Sequence, residues 1–94
     1  MSTSSFDAGR AWRLDDRVAL RPEPFGALLY HYGTRRLSFL KSATMAAVVV
    51  ALGEQPSARA ACQAAGVPPA ALPDYERALA ALAASKMITE REAA

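Results

Sequence analysis

The sequence predicts an α+β fold, winged-helix-like, in which a three-stranded antiparallel sheet is followed by three helices. Three observations carry that prediction. Strand-like segments are confined to residues 17–41, helical periodicity begins only after Lys41, and the two regimes meet at Ser42, a residue suited to start a helix. Strands grouped before helices argue for α+β rather than for alternating α/β units. With 94 residues the chain forms one small domain, near the lower end of what holds a core without disulfides or metal. Of its hydrophobic residues, 22 are alanine, which favours helices and close packing but buries little area, so a thin core is expected.

The first 16 residues, "MSTSSFDAGRAWRLDD", show no sustained periodicity and read as a mobile arm, with Trp12 and Leu14 as the residues around which it would order; residues 17–94 form the domain. "RVALRP" suits a short strand. Pro22 and Pro24 lack backbone donors, which confines that segment to a sheet edge or a connection. "FGALLYHY" is the second strand and "RRLSFL" the third. Gly33-Thr34 between them is expected to form a two-residue type II′ turn, because glycine suits its first central position. That register sets Tyr32 opposite Arg35, Tyr30 opposite Leu37 and Leu28 opposite Phe39. One face then carries Leu28, Tyr30, Leu37 and Phe39, and the other Leu29, His31, Arg36, Ser38 and Leu40. Both are partly apolar.

The first helix follows Ser42 as N-cap, with Met45, Val48, Val49 and Leu52 on one stripe and Gly53 expected at its C-terminal cap. Ser57 caps a shorter alanine-rich helix that stops at Gly66. The third is expected to begin near residues 72–74, with Tyr75, Leu79, Leu82 and Lys86 along one face. Asp74 and Glu76 near its start and Lys86 near its end complement the helix dipole.

Composition excludes several function classes. A single cysteine, Cys62, allows no internal disulfide, and no His/Cys spacing matches a zinc site. A reducing, cytoplasmic setting is expected. The longest apolar run, residues 45–52, is far shorter than the roughly 20 residues of a membrane span, and no basic start followed by an apolar stretch marks export. His31 is the only histidine and has no Asp, Cys or Ser tied to it by a catalytic spacing, so a structural or surface role is expected. Cys62 in an alanine-rich helix reads as a small apolar filler. No phosphate loop or nucleophile elbow is present, and neither an enzyme nor a cofactor is expected.

Three helices beside a small sheet also describe a winged helix-turn-helix regulator bound to DNA. Charge argues against it. Residues 1–41 hold seven Arg or Lys against four Asp or Glu, whereas residues 42–94 hold four against five. The helices that would enter a groove are therefore the less basic half, and no nucleic-acid partner is expected.

A third strand with no strand after it exposes unpaired N–H and C=O groups. Such an edge is either guarded by charges, here Arg35, Arg36 and Lys41, or used to bind an extended peptide by strand addition. Each backbone hydrogen bond gained is worth roughly 0.5 to 1.5 kcal/mol. Ordering each peptide residue costs about 1 to 2 kcal/mol. Pairing alone does not bind, and apolar anchors beside the strand are required. Candidates for that site are Arg35, Arg36, Leu37, Ser38, Phe39, Leu40 and Lys41 on the strand, with Tyr75, Leu79 and Leu82 on the third helix. Either Arg36, Ser38 and Leu40 or their neighbours would supply the backbone groups.

"VALRPEPFGALLYHYGTRRLSFLKS" and the tail "SARAACQAAGVPPAALPDYERALAALAASKMITER" closely resemble the peptide chaperones of the mycofactocin system. These belong to the wider group of precursor-peptide recognition domains typified by the pyrroloquinoline-quinone chaperone. The likeness covers residues 12–91 and is most specific over residues 21–42. It implies a winged-helix-like domain that binds the leader of a ribosomally made precursor peptide along the third strand, residues 35–40 here, against the third helix, residues 72–87. It further implies presentation of that peptide to a radical S-adenosylmethionine maturase, an iron–sulfur enzyme acting on a C-terminal Val-Tyr. The chaperone itself performs no chemistry.

Overall fold

The computed structural model describes residues 6–91. Its centre is an antiparallel sheet of β2 (Val18–Glu23), β3 (Gly26–His31) and β4 (Leu37–Leu40), in that spatial order. Three helices follow: α1 (Ala43–Ala51), α2 (Ala58–Ala64) and α3 (Leu72–Ala84). The predicted sheet and three helices are thus present. Two further strands extend the prediction. β1 (Trp12–Leu14) pairs antiparallel with β5 (Ile88–Glu90), with Arg13 opposite Thr89. Three-residue strands have too short an alternation to be recognised in sequence, and their pairing joins residues far apart in the chain. Residues 1–5 of the expected arm lie outside the described residues. Within its remainder, Trp12 is buried, stacks at 4.9 Å from Phe6 and donates its indole N–H to the Asp7 carbonyl.

The register of β3 and β4 is the expected one, with Tyr30 opposite Leu37 and Leu28 opposite Phe39. The turn is not. The last bonded pair is His31 with Arg36, so four residues, 32–35, make the reversal, and it is Arg35, at φ 64°, that takes the left-handed conformation. His31 N–H donates to the Arg36 carbonyl at 3.0 Å, and Arg35 N–H to the His31 carbonyl at 2.7 Å. A longer loop of this kind is usually built on a type I turn and needs no glycine at its first position.

The helix starts are as read. The Ser42 and Ser57 hydroxyls accept the N–H of Met45 and Ala60, each at 3.0 Å. α2 ends in a Schellman motif with Gly66 at φ 87°, where Gly66 N–H reaches Gln63 and Val67 N–H reaches Cys62. Gly53 does not cap α1, because the chain tightens through a 3₁₀ turn, Leu52–Glu54, before leaving. α3 stops at Ala84 rather than residue 87. Lys86 takes the left-handed cap position at φ 67°, and Met87 N–H bonds the Leu82 carbonyl. Met87 then turns inward instead of continuing the helix.

The helices cover one face of the central sheet. Met45, Val48, Val49 and Leu52 of the predicted stripe pack with Ala27, Leu29, Leu40, Cys62, Leu79, Leu82, Met87 and Ile88. Gly26, at φ 149°, closes this layer at the β2–β3 turn, where a side chain would overlap the Leu40 carbonyl and the Ser42 backbone. Among the described residues no helix is long and apolar enough to cross a membrane.

Candidate functional site

The edge of β4 can be read bond by bond. His31 N–H points to Arg36 and Tyr32 N–H to Arg17. Hydrogen-bonded and non-bonded pairs alternate along an antiparallel ladder. The backbone groups of residues 27, 29 and 31 therefore face β4, and those of residues 28, 30 and 32 face β2. Opposite Leu29 and Ala27 stand Ser38 and Leu40, whose N–H and C=O groups are used inside the sheet. Those of Leu37 and Phe39 point outward, and among the described residues β4 has no second strand neighbour. The sequence left both registers open; this geometry frees Leu37 and Phe39.

Beside this edge lies a cleft of about 320 Å³ between the end of β4 and the first turns of α3, lined by Lys41, Ser42, Met45, Asp74, Tyr75 and Ala78. Tyr75 is half-buried, packed on the core with one side and open to the cleft with the other. The structure thus brings together Lys41 and Tyr75 from the candidate residues, and adds Ser42, Met45 and Ala78. These three escaped sequence reading because each had an adequate role as cap, core or filler. Leu40, Leu79 and Leu82 are not cleft surface: each is buried in the core. Leu37 and Phe39 project from the opposite face of the sheet, more than half exposed. Arg35 and Arg36 are exposed at the start of β4, and Ser38 is half-buried on the helix side.

His31 anchors the β3–β4 turn. It is buried, and its Nδ1 accepts both Gly33 N–H at 3.0 Å and Thr34 N–H at 3.1 Å. Two donors on one nitrogen require that nitrogen to be unprotonated, which assigns the neutral Nε2–H tautomer. Nε2 is buried without a partner, 3.9 Å from Asp15 Oδ1. The backbone N–H of Arg17, and then its guanidinium, hold the Asp15 carboxyl below its usual range against the opposing effect of burial. The expected structural role of His31 is thereby given a form, as an acceptor that shapes the loop leading into β4.

The remaining charges describe the helical surface. Arg77 is paired with Asp74, and Arg59 Nε lies 3.4 Å from Glu76. With Arg59 and Arg77 neutralised by neighbouring acids, the surface of α2 and the start of α3 offer little to a phosphate backbone. Among the described residues no cluster of three metal-ligating side chains exists. Burial raises the Cys62 pKa, reinforced by Glu76, and so keeps the thiol unreactive.

The fold thus presents an open edge strand and a neighbouring cleft on a winged-helix-like domain of three sheet strands and three helices. Comparison with known proteins gives the particular family. The model of the Peptide chaperone MftB family matches residues 11–89. Three curated relatives carry the name Peptide chaperone MftB. That of Mycobacterium ulcerans (strain Agy99) is 55% identical over 95% of this chain and 82% of its own. That of Mycobacterium tuberculosis (strain ATCC 25618 / H37Rv) is 53% identical over 96% and 83%. That of Mycolicibacterium smegmatis (strain ATCC 700084 / mc(2)155) is 52% identical over 89% and 82%. No solved structure gives a significant match. The chain belongs to the Peptide chaperone MftB family and is a non-catalytic protein.

Proposed function

We propose that this protein binds the leader of a ribosomally made precursor peptide by strand addition to β4 and presents it to the radical S-adenosylmethionine maturase of mycofactocin biosynthesis. The carrying observation is the outward backbone of Leu37 and Phe39 beside the Tyr75 cleft. An added strand takes its hydrogen bonds from those two residues. On the helix side, its alternate side chains reach the cleft between Lys41 and Tyr75, where apolar anchors supply the binding energy that backbone pairing lacks. Arg35, Arg36 and Lys41 have no carboxylate partner among the described residues, and they select a leader with acidic residues. The domain contributes residues 17–94 to this role in a cytoplasmic setting, and residues 6–16 help to close the core.

A backbone-amide NMR titration with the precursor peptide tests the proposal. Saturable shifts are expected at residues 37–41 and 75–78, with slowed exchange of the Leu37 and Phe39 amides. Shifts confined to β2 or α2 would place the peptide elsewhere and end the strand-addition reading.

A further inference from the structure

The face of the central sheet turned away from the helices is apolar, aromatic and uncovered. Phe25, Tyr32, Leu37 and Phe39 are 47%, 60%, 56% and 58% exposed, and they are four of the five large hydrophobics exposed among the described residues. Phe25 and Phe39 rings lie 6.1 Å apart, and Tyr30 meets Tyr32 edge-on at 5.4 Å. Leu28 and Tyr30 fill the middle, and Arg21 stands on β2 opposite Leu28. Unpaired positive charge gathers around the same sheet, with Arg21 on this face and Lys41 toward the cleft. Arg10, Arg13, Arg17, Arg59 and Arg77 each lie within 4 Å of a carboxylate, and Arg91 bonds backbone carbonyls. Of the remaining cations, Arg21, Arg35, Arg36 and Lys41 all belong to the central sheet and its turns, with Lys86 the exception.

We propose that this outer face docks a folded protein whose contact surface has an apolar centre ringed by carboxylates, and that this protein is the enzyme acting on the bound peptide. The occupant follows from width, charge and continuity. Three strands, spaced about 4.8 Å apart, present a face broader than one extended peptide covers. Aromatic residues with arginine are the composition of the energetic centre of protein interfaces. A second copy of this chain would meet the arginines of this face with the one carboxylate of the three strands, Glu23, and leave positive charge in excess. A leader strand added to β4 also places every second side chain on the outer face, level with Leu37 and Phe39. The loaded chaperone then shows a composite surface that the empty one lacks, and the protein that needs to tell the two apart is the maturase. This last step rests on the strand-addition reading above.

The test uses the full chain with Arg21→Glu and Tyr32→Ser combined, both outside the leader site, with Phe25→Ser as a second variant should the pair unfold in a thermal melt. Precursor-peptide affinity, maturase affinity with and without peptide, and mass in solution are measured. Peptide affinity is expected to stay within about twofold and maturase affinity to fall about tenfold or more, with unmodified protein binding maturase more tightly when loaded. Unchanged maturase affinity in a folded variant overturns the proposal. So does an unmodified dimer that the variants dissociate, since the face then belongs to a second copy. If the unmodified chain binds no peptide at β4, the strand-addition reading and the composite surface fail together, while binding of maturase to the empty chain still decides the role of Arg21 and Tyr32.

Discussion

The two edges of the central sheet are built from the same kind of strand and are treated in opposite ways. Along β2 the outward backbone groups belong to Val18, Leu20 and Pro22. Val18 N–H is already bonded to the Asp15 carbonyl, and Pro22 has no N–H, so Leu20 alone keeps an outward donor. Along β4 both Leu37 and Phe39 keep theirs. Open edges invite pairing, and proteins usually blunt them. A cleft lies beside each edge, of about 370 Å³ at Leu20 and Pro22 and about 320 Å³ at Lys41 and Tyr75, so the proposed use of β4 rests on the donors that a proline and a turn remove from β2 and that β4 keeps.

The largest expected effect comes from breaking the joint that positions β4. Gly26→Ala would drive a Cβ into the Leu40 carbonyl oxygen while holding φ at 149°. Backbone strain and overpacking together are expected to cost on the order of 3 kcal/mol or more, seen as a lower urea midpoint and loss of peptide binding. Next, two prolines separate sheet integrity from edge use. Ser38→Pro removes a donor that faces Leu29 and should destabilise the fold, whereas Phe39→Pro removes only an outward donor. Phe39→Pro is expected to remain folded by circular dichroism and to bind peptide about tenfold more weakly than Phe39→Ala. Equal affinities for the two Phe39 variants would mean that the edge donor is not used.

A smaller change sharpens the comparison from the other side. Pro22→Val restores a donor to the β2 edge and is expected to raise self-association in light scattering at high concentration, with peptide affinity at β4 unaltered. The smallest effect concerns pH. Asp15 titrates below its unfolded value of about 3.9, so its contribution to stability is present above that value and is lost as pH falls through the lower folded pKa. Asp15→Asn should therefore flatten the decline of thermal stability below about pH 4 and leave stability near neutrality only slightly reduced.

The strand register, the helix starts and the apolar stripe of α1 were legible because each depends on short-range pattern. A reversal centred between Gly33 and Thr34 put Leu28 opposite Phe39, and the observed longer loop has the same centre and so keeps that register; serine hydroxyls marked the first turns of α1 and α2, and Met45, Val48, Val49 and Leu52 recur at the helical period. The site was legible only in outline. Leu79 and Leu82 share a helix face with Tyr75, and periodicity could not tell which residues of that face meet the core and which meet the cleft. The role of His31 was hidden because an imidazole that accepts two backbone N–H groups has no distinctive spacing. The end of α3 was misread because Lys86 adopts a left-handed cap position more typical of glycine.

By itself, then, the sequence determined the order of the three central strands and three helices, the absence of a recognisable catalytic motif and the exposure of an edge, since these follow from local geometry and residue chemistry. Tertiary structure decided which backbone groups of that edge point outward, because that depends on which pairs of β3 and β4 exchange hydrogen bonds. It also decided that Tyr75 rather than Leu79 or Leu82 faces the cleft, and that β1 and β5 pair. Those outcomes rest on contacts between residues distant in the chain, which no local pattern encodes.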